Sequence, residues 1–134
     1  MKKLLFVGII IFGIILSCIA FFILINRVNT KNLTSGTVIF KYGDNNINES
    51  LSQNDLSFLI DLFDNKIMYS DNPSCGFTKN VSILFNDSEY FYFACDTCPV
   101  IYWENRNKYF RLSDSEYKEL VEMLSEYGVF FPCI

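Results

Sequence analysis

The sequence predicts an α+β fold, with an N-terminal transmembrane helix followed by a mainly antiparallel sheet and two amphipathic helices in the order ββα-β-ββ-ββα. Three observations carry this expectation. An uncharged apolar run extends from Leu4 to Ile25. Two later segments, each a hairpin followed by a capped helix, superpose at a constant offset of 61 residues. Between them lie three further short β-prone runs, and a chain that alternates hairpins with amphipathic helices buries both by laying the helices on one sheet face. The expected organisation is an anchor over residues 1–27, a juxtamembrane linker over 28–36 and an extracytoplasmic α+β domain over 37–134.

The apolar run holds 22 residues, and only Gly8, Gly13, Ser17, Cys18 and Ala20 depart from large apolar types. As a helix it measures roughly 33 Å at 1.5 Å per residue, enough to cross a hydrocarbon core. A cleaved signal has a shorter apolar region closed by small residues, whereas Phe21, Phe22, Ile23, Leu24 and Ile25 continue this one. Ile15, Leu16, Ser17 and Cys18 resemble a lipobox, which would make Cys18 a lipidated N-terminus, although a lipoprotein turns polar after that cysteine. The expectation is an uncleaved anchor through residues 4–25, with a lipoprotein or a cleaved signal as alternatives. Lys2, Lys3 and the amino terminus on one side, against Arg27 and Lys31 on the other, place the C-terminal domain outside the cytoplasm. Gly8 and Gly13 stand five apart, so no GxxxG dimerisation face is present.

Residues 26–36 are rich in Asn, Thr, Ser and Gly without a period, which reads as linker. Thr37 to Tyr42 is β-prone, and Gly43 to Asn46 forms a turn cluster. Ser52 followed by Asp55 has the spacing of a capping box, and Leu56, Leu59, Ile60 and Phe63 fall on one helical face. Ile67 to Tyr69, Val81 to Phe85 and Tyr90 to Ala94 are strand candidates, the last two joined by Asn86 to Glu89. Val100 to Trp103 and Lys108 to Leu112 form a second hairpin around a turn at Glu104 to Asn107. Ser113 and Glu116 repeat the capping box, Tyr117, Leu120, Val121 and Leu124 repeat the apolar face, and Gly128 supplies the stop. Asn46, Leu51, Ser52 and Leu59 are identical to Asn107, Leu112, Ser113 and Leu120. Four identities in 25 positions fit shared local physics as well as duplication.

Outside the membrane segment the cysteines are Cys75, Cys95, Cys98 and Cys133. An even number in a small exported domain points to two disulfides, with three connectivities open. If the strands at Val81 and Tyr90 pair, the loop carrying Cys75 leaves from the end where Cys95 and Cys98 lie, and the tail with Cys133 returns there. Two other readings stand beside the staples. A four-thiolate zinc site would use the same residues, but CxxC occurs once rather than as a pair. Thiol redox chemistry at Cys95 and Cys98 needs a helix start beside the thiols, whereas Pro99 and a strand-like run follow. No metal, cofactor or catalytic residue is assigned.

The chain has no histidine, which excludes Ser-His-Asp and Cys-His catalysis and histidine-ligated zinc. Beyond residue 27 it carries 8 basic and 15 acidic groups, a balance opposed to nucleic acid as a partner. Tyr90 and Tyr92 alternate with Phe91 and Phe93, so one sheet face is apolar and the other presents tyrosines, a surface that Tyr102 extends. Tyrosine anchors interfaces because it buries a large ring and keeps a polar tip. These three are the candidate binding surface, for a protein partner. Glu116, Glu119, Glu122 and Glu126 mark the solvent side of the last helix, and no carboxylate pair stands out for glycoside hydrolysis. Asn32, Asn48, Asn80 and Asn86 begin glycosylation sequons.

Cys95-Asp-Thr-Cys-Pro99, Lys108-Tyr-Phe-Arg-Leu-Ser113, Tyr127-Gly128 and Phe131-Pro-Cys133, in a chain rich in Asn, Ile, Lys, Phe and Tyr, resemble small uncharacterised exported or membrane-anchored proteins of low-G+C Gram-positive bacteria. The resemblance covers about the last 40 residues. It implies location and no activity. The functional expectation is a membrane-anchored extracytoplasmic binding or structural domain. The alternatives are a membrane-tethered thiol-disulfide oxidoreductase and an immunity-type protective factor.

Overall fold

The computed structural model describes residues 2–94, 96 and 98–131. An N-terminal helix, α1 (Lys2–Ile25), leads into seven strands and two further helices. Within α1 the stretch Phe6–Ile25 is long and apolar enough to span a membrane, and none of it is buried against the rest of the chain. The sheet is antiparallel throughout, in the spatial order β2-β1-β4-β5-β6-β7-β3.

The first ββα unit is β1 (Gly36–Tyr42), β2 (Asn45–Ser50) and α2 (Gln53–Phe63). Gly43 closes the hairpin at φ +58, a left-handed conformation that glycine adopts without steric cost. The second unit is β6 (Val100–Trp103), β7 (Lys108–Arg111) and α3 (Asp114–Glu126). Its turn is a single 3₁₀ turn over Glu104–Arg106, ended by Asn107 at φ 50. Between the units lie β3 (Met68–Tyr69), β4 (Phe77–Phe85) and β5 (Glu89–Ala94). Strand β4 starts four residues before the expected Val81, because the register shifts between Phe77 and Ser82 and the alternation that marks a strand is broken there.

Both helices begin as the capping pattern dictates. The Ser52 hydroxyl accepts from the Asp55 amide, and Ser113 and Glu116 close a full reciprocal box. Helix α3 stops at Gly128, φ +83, where Gly128 N donates to Ser125 O and Val129 N to Leu124 O. That pair of bonds satisfies carbonyls the helix leaves open. Leu59 and Phe63 of α2 and their offset partners Leu120 and Leu124 of α3 are all fully buried. They pack on one sheet face, formed by Val38, Phe40, Ile83, Phe85, Phe91, Phe93, Ile101 and Phe110. The centre is aromatic: Phe63 stacks on Phe91 at 5.7 Å, and Phe91 on Trp103 at 4.9 Å. Trp103 Nε1 donates to Glu89 at 2.6 Å, so the indole is buried with its polar atom satisfied.

The segment expected as a linker has no regular structure until Gly36 opens β1, yet it packs on the domain. Val28, Thr30 and Leu33 are buried. Asn86, in the β4–β5 turn at φ 50, accepts from the Thr34 and Ser35 amides and donates to Asn32 O at 2.6 Å. Thr30 Oγ1 donates to Asp64 at 3.1 Å. Composition reads these residues as polar and aperiodic, which they are, but their apolar members Val28 and Leu33 are buried in the core.

Candidate functional site: a tyrosine ladder beside a disulfide

Both helices occupy one face of the sheet, so side chains of opposite parity line the other. Pairing of β5 with β6, β6 with β7, and β7 with β3 sets Tyr92 opposite Tyr102, Tyr102 opposite Tyr109, and Tyr109 opposite Tyr69. The rings stack in one continuous row. Centroid separations are 5.7 Å for Tyr90–Tyr92, 6.3 Å for Tyr92–Tyr102, 4.8 Å for Tyr102–Tyr109 and 6.0 Å for Tyr69–Tyr109, with interplanar angles of 3° to 29°. Phe77 leans on the row at 5.6 Å from Tyr109. The expected surface residues Tyr90, Tyr92 and Tyr102 are thus brought together. Tyr109 and Tyr69 extend the row and were not singled out from sequence, since Tyr69 stands on a two-residue strand and Tyr109 alternates with a single apolar neighbour, Phe110.

The hydroxyls are held. Tyr92 donates to Glu104 at 3.2 Å, Tyr102 to Asn107 at 3.1 Å and Tyr109 to Asn72 at 3.1 Å. Lys79 Nζ bonds the same Glu104 carboxylate at 2.6 Å and lies 5.4 Å from the Tyr92 ring centroid, an ion pair and a cation–π contact at once. Burial raises the pKa of Tyr69, Tyr92 and Tyr109 above the ordinary phenol value, with the Glu104 charge adding at Tyr92. These phenols therefore stay protonated at neutral pH. The Lys79 hydrogen bond in turn lowers the Glu104 carboxyl and keeps it charged.

The loop between β3 and β4 folds across one end of the row. Lys108 Nζ donates to Ser70 Oγ, Asn72 receives Tyr109, and Gly76 N donates to Asp96. Beneath the loop is a groove of about 370 Å³ lined by Asn72, Pro73, Cys75, Phe77, Thr78, Lys79, Tyr92, Tyr102 and Tyr109. Thr78 Oγ1 is buried there without a hydrogen-bond partner among the described residues.

A disulfide joins Cys75 to Cys98 and pins this loop, with Cα atoms 5.9 Å apart. Asp96 accepts from the Cys98 amide at 3.3 Å and from the Gly76 amide at 3.2 Å, so one carboxylate ties both sides of the bond. The candidates Cys95 and Cys133 lie outside the described residues. Tyr117, whose hydroxyl reaches the Asp96 carbonyl at 3.4 Å, stacks obliquely on Phe131 at 6.3 Å, so the chain after α3 returns toward this corner.

Two features oppose redox chemistry at the CxxC. Cys98 bonds Cys75 rather than its near neighbour, and strand β6 rather than a helix begins at Val100. Cys75, Asp96 and Cys98 offer atoms within 4.8 Å of one another, but two of the three are disulfide sulfurs, which have no thiolate to give a metal. Comparison with protein-family models, curated proteins and solved structures returns no match to this chain.

Proposed function

We propose that the protein is a membrane-anchored binding domain, held on the extracytoplasmic side by α1, and that the tyrosine-bearing face of its sheet docks a protein partner. The single observation that carries the reading is the ladder from Tyr90 to Tyr69, which lies on the face opposite both α2 and α3. Fixed aromatic rings with polar tips give contact area at small entropic cost, which is why such residues anchor interfaces. The stacking also argues for polypeptide over sugar or nucleobase. Rings that lie near-parallel to one another spend their faces on each other, and three of the hydroxyls already donate within the domain, so ring edges and the remaining acceptor lone pairs are left for a partner of mixed polarity. Strand β3, at the end of the ladder, is also bonded to the residues that follow α1, which favours a partner at or in the same membrane.

The test is site-specific photocrosslinking in the native membrane, with the photoreactive residue at Tyr102 or Tyr90 and, as control, at Glu49 on the far edge strand. A discrete protein adduct from the two ladder positions, absent from Glu49 and lost in a Tyr69→Ala/Tyr109→Ala chain that still melts cooperatively, supports the reading. Equal labelling from all three positions, or none from the ladder, overturns it. Protease shaving of intact cells tests the side: digestion of the domain is expected, and protection reverses the orientation.

A further inference from the structure

The end of α1 is not a free tether. Asn26 O accepts from Met68 N at 2.7 Å, Val28 N donates to Lys66 O at 2.9 Å, Asn65 N donates to Val28 O at 3.0 Å, and Arg27 bridges Ile67 in antiparallel fashion. Arg27 Nη1 adds a bond to Asn65 O at 3.4 Å. The chain thus leaves the membrane helix and joins the β3 edge at once, so the sheet is held in one orientation to the helix by backbone bonds rather than by a flexible segment. If Phe6–Ile25 crosses a bilayer, Phe22 to Asn26 lie at its lipid–water boundary, and the β3 edge lies there with them.

At that junction is a cleft of about 390 Å³. Its apolar side is Phe22 and Ile23 of the helix with Ile67 and Met68; its polar end is Ser70, Asp71 and Lys108. Ile67 is 65% exposed, which is unfavourable for a large aliphatic side chain in water and favourable at the boundary of an acyl layer. Apolar side chains of the helix and of β3 grouped with a cation complement one lipid molecule, acyl chain against the former and phosphate against the latter.

We propose that this cleft is a glycerophospholipid site, in which an acyl chain lies along Phe22 and Ile67, the phosphodiester meets the Lys108 ammonium, and Asp71 accepts from a headgroup that carries N–H or O–H donors. Lysine is a compact point charge suited to a phosphate, and its stem lies along apolar surface. Asp71 sets the selectivity: an ethanolamine or glycerol headgroup offers it a donor, and a choline offers none. The site rests on the anchoring part of the function proposed above and meets the tyrosine face at Tyr69, which also lines the cleft.

The experiment uses the full chain in two readouts. Flotation with vesicles establishes anchoring, after which Ile67→Trp and Asn48→Trp are compared in vesicles of brominated lipid, with the buried Trp103 of the wild type as background. Added quenching at position 67 and none at 48, on the opposite edge strand, is expected. A chain that floats but shows equal quenching at both positions overturns the lipid site and leaves the anchor standing; a chain that does not float overturns both. Native mass spectrometry from nanodiscs of mixed phosphatidylethanolamine, phosphatidylglycerol and phosphatidylcholine reads the headgroup. Retention of either donor-bearing lipid over phosphatidylcholine, reduced about tenfold by Lys108→Ala, is expected, since one charge-assisted bond of about 1.4 kcal/mol is a factor of ten. Indifferent retention of all three lipids, unchanged by Lys108→Ala, overturns it.

Discussion

The hydroxyl of Tyr127, the residue that ends α3, donates to Asp55 Oδ2 at 2.6 Å in the first turn of α2, and the Tyr127 oxygen itself accepts from the Ser52 amide at 3.0 Å. The end of one ββα unit therefore locks the helix start of the other. Burial first, then the hydrogen bond to Asp55, raises the Tyr127 pKa above the ordinary phenol value, so the phenol is the donor at neutral pH. Tyr127→Phe keeps the ring and removes both bonds. The expected loss is about 1 kcal/mol in a urea titration, with the m-value unchanged. Because the folded pKa is raised, the contribution is complete below the ordinary phenol range and declines as pH rises through the folded value.

Ser113→Ala is expected to lower stability by roughly 0.5 to 2 kcal/mol, and Ser52→Ala by less. The difference follows from geometry. Ser113 takes part in a reciprocal box, its hydroxyl accepting from Glu116 N and its amide donating to Glu116 Oε2 at 2.8 Å. Ser52 caps only through its hydroxyl, because its amide is already taken by Tyr127. Equal denaturant midpoints for wild type and both variants would refute the capping account.

The α+β class, the strand order along the chain and both helix starts were legible because each rests on a local rule. Ser52 and Ser113 announce caps by spacing alone, and Phe91 and Phe93 announce a buried face by alternation. Tyr90, Tyr92 and Tyr102 were legible as one face for the same reason. What escaped depends on pairs distant in sequence. Nothing local to Tyr69 says that a two-residue strand will lie beside Tyr109, and nothing local to Asn86 says that its amide will hold residues 32–35. The disulfide partner of Cys98 is of this kind as well. A capped helix is written in four consecutive residues, whereas the Cys75–Cys98 bond joins residues 23 apart in sequence.

Glu116 and Lys66 form an ion pair that links α3 to the approach to β3, each side chain less than one-third exposed. The Lys66 hydrogen bond first, and then the Ser113 amide, lower the Glu116 carboxyl below the ordinary glutamate value. A depressed folded pKa contributes stability above the unfolded pKa and loses it as pH falls through the folded one. Glu116→Gln should therefore be less stable than wild type at pH 7, with the gap closing as pH drops below the usual carboxylate range. Thermal melts of both chains from neutral to acidic pH check this, and a gap that stays constant would show that the pair carries no pH dependence.

The Cys75–Cys98 bond closes a loop across a sequence separation of 23, which by chain entropy stabilises the folded state by roughly 3 kcal/mol. Replacing both cysteines with serine should lower stability by about that amount, and the loss should be greatest at the loop over the tyrosine ladder. Residues 70–76 are held there by three side-chain bonds, at Ser70, Asn72 and Gly76, besides the disulfide. Exposed bonds of this kind close a loop weakly without a covalent tie, because each contributes only about 0.5 to 1.5 kcal/mol against the entropy of ordering the segment. Proteolysis of the double variant is thus expected to begin within 70–76, with β6 and β7 still protected, while the oxidised wild type resists cleavage there. Peptide mapping of the unreduced protein supplies the complementary check. A fragment joining Cys75 to Cys98 is expected, and a bond within the CxxC instead, combined with full stability of the Cys75→Ser chain, would overturn the stapling role and return Cys95 and Cys98 to redox chemistry.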